Sequence, residues 1–438
     1  MKVAIVGAGI SGMAAAHALQ PHAQVTLFEA ADCFGGHAHT VDITLPGHDG
    51  QPVRHGVDTG FLVYNERTYP RLIALFEALG VRTVPSDMSF SVQVPRAGRP
   101  PLEWSGSNLS TVFAQRGNLL RPAFWSMLRD LARFNRIATR LARSPAGADD
   151  ADLLQPLATF LDRHGFGAPF RDWYLLPMLG CIWSCPTDQM LRFPTATLVR
   201  FCHNHGLLQV IDRPQWFTVA GGSRQYVQKI VAGIADRRLS TPVLRIDRDA
   251  AGVRVTTAGG TERFDKVVIA THSDQALRLL AAPTAAESAM LGAIRYQANR
   301  ALLHTDVSVL PRHRAAWSAW NYEAAPPAAA DGLSPRVCLH YLLNQLQPLP
   351  WPQPVVVSLN PLAELDPARV LAERHWEHPV FDAAAVRAQA DLPALQGLGH
   401  SYFCGAWAGY GFHEDGLAAG QEAARRLLAD GMPLKAAA

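Results

Sequence analysis

A glycine-rich turn between a short apolar strand and an alanine-rich helix opens this chain, and it fixes what the front of the fold must do. The run Lys2-Val-Ala-Ile-Val-Gly-Ala-Gly-Ile-Ser-Gly places Gly7, Gly9 and Gly12 between a buried strand over Val3 to Val6 and a helix starting at Ser11. Gly7 permits the tight turn, Gly9 lets a pyrophosphate approach the backbone, and Gly12 lets helix and strand pack closely. The helix N-terminus, at Ile10 and Ser11, supplies N–H groups and a positive dipole end for phosphates. Glu29 ends the second strand, Val25-Thr-Leu-Phe-Glu, followed by Ala30, at the distance where a carboxylate accepts hydrogen bonds from an adenosine ribose. Together these elements predict a dinucleotide site.

The next residues narrow the dinucleotide to FAD. Ala30-Ala-Asp-Cys-Phe-Gly-Gly-His carries a second glycine pair, Gly35 and Gly36, followed by His37, where the chain is expected to turn back across the pyrophosphate. No second GxGxxG follows, so a reductase with separate FAD and NAD(P)H domains is not expected. Thr241-Pro-Val-Leu-Arg-Ile, Gly252-Val-Arg-Val and Phe264-Asp-Lys-Val-Val-Ile-Ala-Thr read as strand, hairpin and buried strand. Backbone groups of Val243 and Thr271 are expected on the adenine side. Near the C-terminus, Tyr402-Phe-Cys-Gly-Ala-Trp leads through Gly411-Phe-His-Glu-Asp-Gly into a helix over Leu417 to Leu428. The N-terminus of that helix could face the ribityl chain or pyrimidine edge of a flavin, which makes Gly405, Ala406, Phe412, His413, Asp415 and Gly416 expected contacts.

With these motifs in view, the chain resembles the flavin amine oxidase and phytoene desaturase superfamily, through its N-terminal fingerprint, Gly35-Gly36, Val57-Asp-Thr-Gly, the Gly221-Gly222 loop and the C-terminal motif. Along almost its whole length it also resembles the FAD-dependent domain fused ahead of the methyltransferase in plant cyclopropane fatty acid synthases, and its stand-alone bacterial relatives. Phe34-Gly-Gly-His-Ala, Thr68-Tyr-Pro, Ser86-Asp-Met-Ser-Phe-Ser-Val, Ile182-Trp-Ser-Cys-Pro, Gly206-Leu-Leu-Gln, Arg213-Pro-Gln-Trp and Phe412-His-Glu-Asp-Gly carry that likeness. The resemblance implies an α/β fold: a Rossmann-like FAD domain of the glutathione-reductase and amine-oxidase type, interleaved with an α+β substrate domain. It implies a FAD-dependent oxidoreductase that removes hydride from a lipid-like substrate, a desaturase acting on a fatty acyl chain. An accessory, lipid-presenting partner of a fatty-acid methyltransferase and an amine oxidase are the alternatives. Asp58, Thr59, Gly60 and Phe61 are expected over the pyrophosphate and ring. Asn65, Trp183 and His413 are the expected catalytic residues, with Trp183 on the substrate side. The chain also departs from many amine oxidases. His37 stands where they carry arginine, Ala406 where they carry an acid, with Asp415 a possible substitute, and no lysine is clearly placed opposite the flavin.

Composition excludes several functions. With 438 residues, 48% of them hydrophobic, the chain can bury a large core, and a formal charge of +3 gives no reason to expect nucleic-acid binding. The six cysteines show no CxxC spacing, which points to a reduced, cytoplasmic compartment. None sits in an attachment motif, so FAD is expected to be noncovalent. No apolar run approaches the roughly 18 residues of a membrane span, and no signal peptide is expected ahead of Lys2. His37/His39 and His203/His205 lack a third ligand nearby, and no metal is expected.

FAD-domain segments are expected at 1–80, 216–280 and 396–438, and substrate-domain segments at 81–215 and 281–395. In the latter, Arg336-Val-Cys-Leu-His-Tyr-Leu-Leu and Pro354-Val-Val-Val-Ser-Leu read as sheet strands, Ala324 to Ala330 as a loop, and the tail after Pro433 as frayed. Phe124 to Arg143 reads as a helix with Arg129, Arg133, Arg136, Arg140 and Arg143 on one face and Phe124, Met127, Leu128, Leu131, Phe134, Ala138 and Leu141 on the other. It is a core helix with a solvated arginine face in the ordinary reading; alternatively it could rest on anionic lipid at the inner membrane face.

Overall fold

The computed structural model describes residues 1–144, 151–209, 213–325 and 337–431; most of the Ala324–Ala330 loop and the tail after Pro433 lie outside them. The opening strand, Lys2–Val6, forms the middle of a five-stranded parallel sheet in the order Asp236–Arg238, Gln24–Phe28, Lys2–Val6, Lys266–Ile269, Ser401–Phe403. Strand alternation divides its side chains between two cores. Val3 and Ile5 pack under the helices, whereas Ala4 and Val6 join Val253, Val255 and Phe264 of an antiparallel meander on the other face. Burial on both faces explains why these strands read as unbroken apolar runs.

The opening helix, Ile10–Leu19, packs along the closing helix, His413–Gly431. Small residues allow this close approach: a Cβ on Gly420 would lie 2.1 Å from the Ser11 carbonyl oxygen, and one on Gly416 2.7 Å from Ile10 Cγ2. The opening and closing helices therefore meet backbone to backbone.

A second sheet has seven strands. Its order is Val370–Val380, Arg295–His304, Val356–Leu359, Cys338–Leu342, Trp320–Glu323, Phe90–Arg96, Arg99–Ser105, and only the Trp320–Glu323 and Phe90–Arg96 pair is parallel. Both strands expected around residues 336 to 359 form here and pair through Ser358. A small sheet of Tyr64–Asn65, Thr83–Ser86 and Trp216–Val219 lies in neither of the two larger sheets.

Helices fill most of the described chain between residues 109 and 204. The arginine-rich segment forms the helix Pro122–Ala142. Phe124, Met127, Phe134, Ala138 and Leu141 are buried while Arg129, Arg136 and Arg140 are exposed. Arg133 turns inward to the buried Asp130 at 2.8 Å and to the His164 carbonyl. No helix among the described residues is long and apolar enough to cross a membrane.

Candidate active site

A cavity of about 920 Å³ opens where the parallel strands end, a position open α/β sheets favour for ligands. Val6 and Gly7, Phe28 and Glu29, Ala270 and Thr271, and Gly405 and Ala406 stand at or just beyond the ends of four adjacent strands and line it. Gly7 has φ +97°, and a Cβ there would lie 2.8 Å from the Ala270 carbonyl oxygen, so no other residue makes this turn without strain. Gly9 is the N-cap of the opening helix and has no side-chain capping bond, while a Cβ built on it would meet nothing within 4 Å. This open space in front of helix N–H groups suits a pyrophosphate. Glu29 accepts from the Ala8 N–H at 2.7 Å and the Ala31 N–H at 2.9 Å, which fixes its carboxylate at the cavity wall with lone pairs to spare for ribose hydroxyls.

Several expected contacts line this space: Gly7, Gly9, Ile10, Ser11, Glu29, Ala30, Gly36, His37, Gly60, Phe61, Val243, Thr271, Gly405, Ala406, Phe412 and His413. Others shape it from behind. A Cβ on Gly12 would fall 1.9 Å from the Gly7 carbonyl oxygen, and one on Gly35 2.4 Å from that of Ala38, so both are packing glycines away from the cavity. Gly416 packs on Ile10. The Thr271 carbonyl receives the Trp407 indole N–H at 3.0 Å.

The structure corrects four expectations. Asp58 is buried outside the cavity, where it accepts from Thr40 Oγ1, the Ser223 N–H and hydroxyl, and Gln347 Nε2. It ties the Gly221-Gly222 loop to the pyrophosphate side rather than touching a ligand, and burial pushes its carboxyl up from the usual range. Thr59 also misses the cavity wall. It receives the His39 Nδ1 proton at 2.8 Å, while Arg374 donates to Nε2 of the same ring. Asn65 does not line the cavity: its Oδ1 accepts from the N–H groups of Arg67 and Thr68, and its buried Nδ2 meets no partner among the described residues. Asp415 caps its own helix by accepting from the Phe412 N–H at 2.9 Å, with its carboxyl pushed up to about 6 by burial, and does not substitute for the missing acid at Ala406.

The two remaining expected catalytic residues do line the cavity. Trp183 is buried against Phe193 and Phe201, and its indole N–H donates to the Tyr410 carbonyl. His413 stacks on Phe61 and meets the buried Tyr226 hydroxyl; burial lowers its pKa to about 3, so it is neutral.

Long-range folding adds residues that local sequence did not mark. The edge strand Val370–Val380 delivers Trp376, which stacks on His37 at 4.6 Å, and His378, lowered by burial to about 4. The Nε2 atom of His37 is buried without a protein partner, and burial depresses its pKa strongly. A buried donor or acceptor left open at a cavity wall suits a polar group of a bound dinucleotide. His205 donates from Nδ1 to the Phe201 carbonyl at 3.0 Å, so its neutral ring carries the lone pair on Nε2, and burial lowers it to about 4. Its only sequence signal was its spacing from His203.

Met88, Cys181, Ile182, Trp183, Phe201, Leu207 and Trp216 give part of the wall an apolar lining. A family model for flavin containing amine oxidoreductases matches residues 10–428. The chain belongs to that family. Membership implies FAD, and the open Gly9 cradle, the held Glu29 carboxylate and the unpartnered His37 nitrogen fit it.

A putative flavin-containing monoamine oxidase, AofH, of Mycobacterium tuberculosis is 29% identical over 286 residues, covering 62% of this chain. The match covers 56% of AofH, so the chain spans about half the length of that curated relative. Cyclohexylamine oxidase from Brevibacterium oxydans shares the fold with a TM-score of 0.68 at 20% identity, covering 98% of this flavoprotein and 99% of the oxidase. A CLA-producing fatty acid isomerase from P. acnes does so with a TM-score of 0.64 at 15% identity, covering 97% and 98%.

Proposed function

We propose that this flavoprotein is a FAD-dependent oxidoreductase acting on an uncharged, lipid-like substrate, a fatty acyl chain undergoing desaturation. The observation that carries the reading is the chemistry of the substrate end of the cavity. Trp183, Ile182, Met88, Phe201 and Leu207 make it apolar, and none of Lys2, Lys229 and Lys266, the lysines among the described residues, lines it. Its two lining carboxylates lie on the dinucleotide side, Glu29 at the ribose position and Glu377 beside His272. An alkylammonium would enter without a counter-charge, whereas an acyl chain would leave no buried charge unpaired.

FAD bound there supplies the acceptor for a hydride leaving a substrate C–H bond. The protein's own groups position the chain and exclude water. Removal of a proton from the adjacent carbon, which completes a double bond, falls to the lone pair on His205 Nε2, available because burial keeps that ring neutral. The sequence strings that resemble the FAD domain of plant cyclopropane synthases favour an acyl substrate, and on that resemblance alone we propose a methyltransferase partner and peripheral contact with the inner membrane face.

The test is anaerobic mixing of the oxidised protein with acyl phospholipids, free fatty acids, and a set of aliphatic and aromatic amines. Bleaching of the flavin by an acyl lipid supports desaturation. Lipid binding without bleaching moves the assignment to an accessory role, and bleaching by amines alone, as the AofH and cyclohexylamine oxidase likenesses would have it, overturns it.

A further inference from the structure

The face of the seven-stranded sheet opposite Trp320 and Tyr341 brings three metal-ligating side chains together. In the Trp320–Glu323 and Cys338–Leu342 pair, Glu323 lies directly opposite Cys338, and Asn321 opposite His340. Cys338 and His340 are two residues apart and therefore share a face of their strand. On the next strand, Ser358 lies directly opposite His340. The sheet register alone thus gathers a carboxylate, a thiol and an imidazole.

Their atoms converge. Glu323 Oε2 is 3.1 Å from His340 Nε2, Cys338 Sγ is 3.3 Å from the same nitrogen, and Glu323 Oε2 is 3.7 Å from Cys338 Sγ. Ligands on one tetrahedral zinc stand about 3.3 Å apart for nitrogen and oxygen and about 3.5 Å apart where sulfur takes part, from the usual bond lengths. The three measured separations fall around those values.

The surroundings match as well. His340 Nδ1 meets Ser358 Oγ at 2.6 Å, and that hydroxyl meets His304 Nε2 at 2.7 Å, so the ring is held with Nε2 aimed at the other two groups. A second hydrogen bond at the far nitrogen is how ligating histidines are normally oriented. The Leu362 backbone N–H points at the Cys338 sulfur. Cys338 and His340 are fully buried, whereas the Glu323 side chain is 30% exposed, which leaves the fourth position to water.

We propose that Glu323 Oε2, Cys338 Sγ and His340 Nε2 form a zinc site, with water as the fourth ligand, that staples two strands of the substrate sheet. A mixed sulfur, imidazole and carboxylate set favours zinc over magnesium or calcium. The thiol proton leaves to solvent as the sulfur binds. Trp320 and Tyr341, paired on the opposite face of the same strands, line the cavity, so the staple would brace that wall without entering it.

The test uses the full-length, flavin-loaded protein stripped of metal by chelator and titrated with Co²⁺. The expected result is one cobalt per chain with a thiolate-to-cobalt charge-transfer band, both displaced by Zn²⁺ and both absent from Cys338→Ser. Ser358→Ala should keep the band and weaken binding about ten- to a hundredfold. The Glu323→Gln variant, altered at the exposed edge, guards against misfolding in the buried ones and should bind cobalt more weakly with its flavin spectrum intact. Cobalt binding with no sulfur band, or equal binding by Cys338→Ser, overturns the proposal and leaves the three groups as a hydrogen-bonded trio.

Discussion

The imidazole of His413 lies flat on the ring of Phe61, centroids 3.9 Å apart and planes 13° from parallel, while its Nε2 meets the Tyr226 hydroxyl. The stack joins the loop after the Pro52–Asp58 strand to the start of the closing helix, and Tyr226 anchors it from the helix Arg224–Ala232. Tyr226→Phe removes the only hydrogen-bond partner of that buried nitrogen among the described residues. Leaving a buried polar atom unsatisfied costs about 1–3 kcal/mol. The variant should lose that much stability in urea, with a changed visible spectrum of the bound flavin as His413 relaxes. An unchanged spectrum and unchanged stability would show that the pair holds nothing in place.

Burial holds His205 and His378 at about 4 and His413 at about 3, below the ordinary histidine value of about 6.5. The unfolded chain therefore takes up protons that the folded one refuses. Stability is complete above pH ~6.5 and is lost as the pH falls toward 4. Asp58 and Asp415, both raised by burial, work in the opposite sense, while His37 and His304, both lowered by burial, add to the histidine side. The net expectation is a loss on the order of 3 kcal/mol between pH 7 and pH 5, with flavin release on acidification. Urea midpoints across that range check it, and a flat profile would show that these rings are not held neutral.

Glu29 is oriented by two backbone N–H groups before any ligand arrives. Glu29→Gln keeps the size but removes the charge, and its amide must present a donor where the carboxylate accepted. Hydrogen bonds to charged groups contribute about 1.5–3 kcal/mol, so the dissociation constant for FAD should rise about ten- to a hundredfold. Titrating apoprotein with FAD by fluorescence measures this, and equal affinity would remove Glu29 from the ribose contact.

The dinucleotide turn was legible because its chemistry is local: Gly7, Gly9 and Glu29 lie within one strand, turn, helix and strand. The last helix was legible for the same reason. Asp58 and Asn65 were misread because a polar residue in a motif beside a ligand looks the same in sequence whether it faces the ligand or holds the loop. Asp58 finds its partners at Ser223 and Gln347, 165 and 289 residues away. His37 was expected at the pyrophosphate turn, but its stack on Trp376 depends on an edge strand more than 300 residues on, and no local period encodes that. The His205 lone pair depends on a single bond to the Phe201 carbonyl, which only helical backbone geometry reveals.

Close packing of the first and last helices makes a separate, purely steric prediction. In Gly420→Ala the new methyl group would collide with the Ser11 backbone oxygen, and backbone cannot yield as a side-chain tip does. Overpacking of this kind costs about 1–3 kcal/mol. Because Ser11 also lines the cavity, the melting temperature and the FAD affinity should fall together. Loss of one without the other would separate helix packing from the cofactor site.

Asp58 offers the sharpest distinction between a group that holds a loop and one that holds a ligand. Its carboxylate accepts from Thr40, Ser223 and Gln347, and its backbone N–H donates to Gln347 Oε1. Asp58→Asn substitutes an NH₂ for one acceptor oxygen in a shell of donors, which leaves at least one of them, the Gln347 amide, without a partner in the interior. Breaking such a network costs about 2–4 kcal/mol. The variant should melt earlier and yield less folded protein, yet the folded fraction should bind FAD within about threefold of wild type at low temperature, since a threefold change is under 1 kcal/mol. A large fall in affinity with unchanged stability would return Asp58 to the set of direct contacts.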